Sequence, residues 1–126
     1  MPLTARLRDE ENERINNILK KLIGTDYVPE RGNAVINELL SGVGLSLQMM
    51  LDLQAADLVS ELQQRHFDFE NAEQFADFLV GLSSKLHEDQ FALTQKAAAI
   101  YQFVQTESKT FSWTIQNKIT QISKTR

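Results

Sequence analysis

The sequence predicts an all-α fold, a single-domain bundle of four or five helices spanning residues 1–126. Three observations carry this. Apolar residues recur at i, i+3, i+4 and i+7 over long stretches, the rhythm of one helical face. The 126 residues include only 5 Gly and 2 Pro, so turns are few and elements are long. Alternation with period two is confined to HFDFE at His66–Glu70 and TFSWTI at Thr110–Ile115. A ribbon of two such strands would be marginal alone, and the isoleucine spacing after Thr110 fits a helix better.

The first helix runs from about Thr4, as N-cap, to Ile23. Ile15, Ile18, Leu19 and Leu22 form its stripe, and Leu7 alone anchors the first half. Lys20 and Lys21 suit the negative end of the helix dipole, and Gly24 suits a left-handed position just beyond it. A connector, GTDYVPERGN, follows, with Tyr27 and Val28 expected to pin it. Asn33 is the expected cap of the next helix. Val35, Ile36, Leu39, Leu40, Val43, Leu47, Met50 and Leu51 share its face, which Ala55, Leu58, Val59 and Leu62 continue after a drift. A rod over residues 33–65 would be about 50 Å long at 1.5 Å per residue. That is too long for this chain, so the stretch is read as one bent helix or as two, broken near Gly42–Gly44 or Asp52–Asp57.

Asn71 is the expected cap of a third helix, with Gln74 reaching back to it. Ala72, Phe75, Phe78, Leu79, Leu82 and Leu86 make its apolar face. Asp89 is the expected cap of a fourth, built on Leu93, Ala97, Ile100 and Val104, with Phe91, Ala98 and Tyr101 beside them. A turn near Ser108 leads to a last helix striped with Phe111, Ile115, Ile119 and Ile122.

Charge is unevenly spread. Residues 26–91 hold 12 acids and 3 bases, whereas residues 92–126 hold 5 bases and 1 acid, within a whole-chain net charge of −4. A basic tail behind an acidic middle is expected to fold back on it or lie solvated, and otherwise to meet an acidic partner. There is no Cys, which removes disulfides, thiolate metal sites and a cysteine nucleophile. The start, MPLTARLRDEENER, has no apolar signal region. These features fit a cytoplasmic protein.

The stretch LLSGVGLSLQMML, Leu39–Leu51, is uncharged, but it is too short to span a membrane. Its Gly42-Val43-Gly44 lacks the following Lys and the preceding strand of a phosphate loop. A packing notch or helix break at Gly42 is the simpler reading. Leu45 and Met49 fall on a second side of the helix, away from the main stripe. That leaves apolar surface for a central position or a second subunit. His66 and His87 lack the Glu-x-x-His or i, i+4 spacing of bundle metal sites. Trp113 points away from the last helix's stripe, among Lys109, Lys118, Lys124 and Arg126.

The expected role is therefore a non-enzymatic helical protein-interaction protein, adaptor or structural, self-associating as a homodimer. Gly42, Leu45, Met49 and Trp113 are its expected partner-binding residues. No catalytic residue, cofactor or metal is expected, nor a membrane span, and nucleic acid is the less favoured partner. The alternatives are a nucleic-acid-associated protein using the basic C-terminal helix and a small-molecule-binding helical bundle.

Overall fold

A computed structural model describes residues 3–24, 32–65, 67–86, 89–109 and 112–124. Seven helices form among them: α1 Leu3–Gly24, α2 Gly32–Ser41, α3 Leu47–Asp52, α4 Ala55–Gln64, α5 Phe69–Ser83, α6 Gln90–Ser108 and α7 Trp113–Lys124. No strand occurs among the described residues. The all-α class holds, and the helix count exceeds the expected four or five. The excess comes from residues 33–65, which form three helices rather than one or two.

Both breaks have local causes. At the first, Gly44 adopts φ +77°. Its N–H donates to Ser41 O at 3.1 Å, and the Leu45 N–H donates to Leu40 O at 2.9 Å. This is a Schellman ending, in which glycine takes the left-handed position and the next apolar residue turns back onto the helix. Ser46 is extended and its Oγ accepts from Met49 N at 3.2 Å, starting α3. Asn37 Oδ1 accepts from Leu47 N at 2.7 Å, bracing the same corner. The second break is a pair of extended residues, Leu53 and Gln54. Asp57 then lies in the first turn of α4, where its charge suits the helix dipole.

Other boundaries shift by a few residues. Thr4 and Asn33 lie inside α1 and α2 rather than capping them. Gly24 closes α1 without a positive φ. Asp68, not Asn71, caps α5, accepting from the Asn71 N–H at 2.7 Å. Asn71 is instead buried, its Nδ2 donating to Asn12 O of α1 at 3.4 Å. Gln74 does not reach back to a cap: its Oε1 is buried without a hydrogen-bond partner. Asp89 holds the N-cap position of α6 without a side-chain cap bond, and Lys109 ends that helix in the left-handed region at φ 57°. Tyr27, Val28, His66, His87 and Phe111 lie outside the described residues, as does the side chain of Leu7.

Helix α6 is the spine, packed against α5, α7, α4 and α3, while α1 covers α5 and α2 covers α1. Leu93, Ala97, Ile100 and Val104 of α6 meet Ala72, Phe75, Phe78, Leu79 and Leu82 of α5 in one buried cluster. Ile15, Leu19 and Leu22 of α1, Leu58 and Leu62 of α4, and Ile115 and Ile122 of α7 join it. Phe67 closes one end, its ring set edge-on to Phe75 at 5.9 Å. The predicted stripes thus supply the core, except that Val35, and Phe91 beside the α6 stripe, are exposed; each fully buried Leu, Ile or Phe stabilises it by about 1.5–3 kcal/mol.

Candidate functional site

Of the four residues expected to meet a partner, three are engaged within the chain. Leu45 is only 3% exposed and belongs to the core cluster, because the Schellman ending turns it inward. Met49 is half-buried and packs on that cluster. A Cβ added at Gly42 would lie 2.9 Å from Ile18 Cδ1 and 3.2 Å from Leu39 O. The notch at Gly42 therefore admits α1 of the same molecule, and Arg14 of α1 donates to the Gly42 carbonyl. Trp113 is 74% exposed, at the start of α7.

A concavity lies elsewhere. Helices α5 and α7 flank α6 and leave a half-open cleft of about 580 Å³ between them. Val80 and Ile122 contribute apolar surface, and Tyr101 and Thr94 of α6 form its floor. Three of the hydroxyls that line it turn into their own helices. Ser83 Oγ donates to Val80 O at 2.6 Å, Ser84 Oγ to Gly81 O at 2.7 Å, and Thr94 Oγ1 to Gln90 O at 2.9 Å. Hydroxyls satisfied this way present their carbon atoms outward, so the cleft is greasier than its residue names imply.

One end carries a polar cluster. The Tyr101 hydroxyl donates to Asp77 Oδ1. The Lys118 ammonium donates to Glu73 Oε2 at 2.7 Å and to Asp77 Oδ2 at 3.2 Å, and lies 3.0 Å from Asp77 Oδ1. It also stands 5.6 Å from the centre of the Tyr101 ring. Burial pushes the Tyr101 phenol above its ordinary value, and the hydrogen bond and charge of Asp77 push the same way. For Lys118, burial acts to lower the ammonium's pKa, but the bonds and charges of Glu73 and Asp77 outweigh it and the net shift is upward. Both upward shifts keep the Lys118 ammonium and the Tyr101 phenol protonated at neutral pH.

The basic tail thus folds back on the acidic middle at Lys118, which thins the strip that would have touched nucleic acid. Sequence reasoning missed Glu73, Asp77, Tyr101 and Lys118 as a group, although one signal was available. Glu73 and Asp77 sit four apart on α5, where like charges repel and a cation from another element relieves them. Ser83, Ser84 and Thr94 donate to backbone carbonyls, whereas the Tyr101 hydroxyl donates to a carboxylate, that of Asp77.

Two further hollows lie on the surface of the described residues. One of about 590 Å³ lies between α1 and α2 beside Gly42, and one of about 520 Å³ lies over Leu45 and Leu51. Among the described residues, no helix is long and apolar enough to cross a membrane, and no group of three or more His, Cys, Asp or Glu residues is placed to hold a metal ion. Comparison with protein-family models, with curated proteins and with solved structures finds no match for this chain.

Proposed function

We propose that the chain is a non-enzymatic helical binding protein that takes an apolar ligand into the cleft between α5, α6 and α7. The observation that carries this is a half-open apolar space of about 580 Å³ ended by the paired charges of Asp77 and Lys118. Small-molecule sites have this form: several hundred cubic ångströms, mostly apolar, with a few polar groups converging at one point. Titration calorimetry with 1-octanol tests it. Saturable binding is expected, weakened about tenfold when Val80→Phe narrows the cleft while circular dichroism stays unchanged. Heats that never saturate, or that ignore Val80→Phe, overturn it.

A second reading, contact with another copy of the chain, is favoured by one specific observation. Trp113 is 74% exposed and Phe91 is 54% exposed, and each adjoins a residue of the cleft, Thr114 and Gln90 respectively. Large aromatic surface of this kind is typical of interface anchors. Light scattering on a sizing column reads it. A mass of twice 14.4 kDa that halves in Trp113→Ala/Phe91→Ala supports the homodimer, and a monomer at all concentrations removes it.

A further inference from the structure

We propose that the cleft selects a hydrophobic cation, an ammonium carried on a short alkyl chain, with its charged end against Asp77. The inference rests on the ligand-binding reading of the cleft and adds the ligand's charge and shape.

The charge follows from counting the closed end. Glu73 and Asp77 contribute −1 each, Lys118 contributes +1, and the Tyr101 phenol is neutral, leaving −1. Asp77 lines the cleft and its side chain is 34% exposed, so the carboxylate is reachable. A carboxylate offers about four acceptor sites across its two oxygens. Tyr101 and Lys118 occupy part of that capacity. An entering ammonium brings the cluster to neutrality. An entering carboxylate sets a third negative charge beside two in a partly dried site, where Coulomb terms exceed their values in water. A neutral hydroxyl leaves the excess uncompensated. The order is therefore cation, then neutral, then anion.

The tail follows from the walls. Along α5 the cleft runs from Asp77 to Ser84, about 10 Å at 1.5 Å per residue. Beyond the charged end its surface includes Val80, Ile122 and the carbon faces of Ser83, Ser84 and Thr94, whose hydroxyls are turned away, together with the polar side chains of Gln90, Thr114, Asn117 and Gln121. A straight chain of octyl length fits that distance.

The test is a titration of the full chain with octylammonium, 1-octanol and octanoate, each below its aggregation concentration, read by calorimetry and by emission of the lone Trp113. Octylammonium is expected to bind about tenfold more tightly than octanol and octanoate more weakly than either. The preference should shrink as salt rises, since the carboxylates are partly exposed. Glu73→Gln and Asp77→Asn should each bring octylammonium to within about threefold of octanol. If Asp77→Asn unfolds the chain, Glu73→Gln alone decides. Equal affinity for octylammonium and octanol, or tighter octanoate, overturns the cation preference and leaves the cleft a ligand site. Failure of all three to bind overturns the cleft reading and this inference together.

Discussion

The Lys96 ammonium donates to the carbonyl oxygen of Leu51 at 3.2 Å, joining the end of α3 to α6. The carbonyl of Met50 accepts from the same ammonium. Lys96 is only 5% exposed. A cation at a helix C-terminus, bonded to carbonyls that no later turn can satisfy, answers both the hydrogen-bond deficit and the dipole.

Lys96→Met keeps the aliphatic length and removes the donors. Two carbonyls of α3 then lose their side-chain partner, at a cost of about 1–3 kcal/mol, measurable as a lower denaturant midpoint at neutral pH. The pH dependence has a definite sign. Burial lowers the Lys96 pKa below 10.5, with Asp52 and Asp89 only partly opposing it. Between the folded value and 10.5 the unfolded chain binds more protons, so this residue's share of stability rises with pH there. Lys96→Met should abolish that rise.

Tyr101 and Lys118 act in the opposite sense. The folded phenol keeps its proton above the ordinary value of 10.0. The unfolded phenol ionises first, so stability falls as pH climbs past 10.0. Lys118, with its pKa raised above 10.5, adds stability that is whole below that value and is lost as pH rises through the folded one. Tyr101→Phe is expected to lower stability by about 1–2 kcal/mol at pH 7, through loss of the bond to Asp77. It should also make the alkaline decline shallower by up to about 1.4 kcal/mol per pH unit. Chemical denaturation from pH 8 to 11 checks both.

Gly44→Ala places a Cβ at φ +77°, 3.0 Å from Arg65 Nε. The left-handed conformation costs a side-chain residue about 1–2 kcal/mol. The added atom also crowds the guanidinium that donates to Gly44 O at 3.1 and 2.9 Å. We expect a loss of about 2 kcal/mol, against a gain of up to about 1 kcal/mol for Gly81→Ala, which lies within α5 with no atom inside 4 Å of the new Cβ. Paired melting curves give the comparison.

Leu45→Ala is expected to destabilise by about 2–4 kcal/mol, because it empties a buried site. Its signature is a lower melting temperature at unchanged molecular mass. A fall in mass at unchanged stability would instead make Leu45 an interface residue.

The helices were legible because their stripes were. Ile15–Leu19–Leu22, Phe75–Leu79–Leu82 and Leu93–Ala97–Ile100 each read as one face and each is buried. The breaks within residues 33–65 were harder, although Gly44 carried the information. A glycine just past a helix stops it only if it turns left-handed, and the next apolar residue then points inward rather than onto a free flank. Reading Leu45 on a continuous wheel assigned it to the wrong side. The cap of α5 misled for a related reason: Asp68 and Asn71 are both good capping residues three apart, and burial of Asn71 against α1 decided between them. The cleft was least visible. It depends on serines and threonines that bond to their own backbone, and on a lysine, Lys118, 41 residues beyond Asp77. Neither feature leaves a periodic trace.

A helix of six residues such as α3 is shorter than the nucleus-plus-propagation cost allows on its own. Its carbonyl end is closed from outside, by Lys96 of α6. In native-state hydrogen exchange the amides of Met50–Leu53 should therefore open at lower free energy than those of the α5–α6 pair.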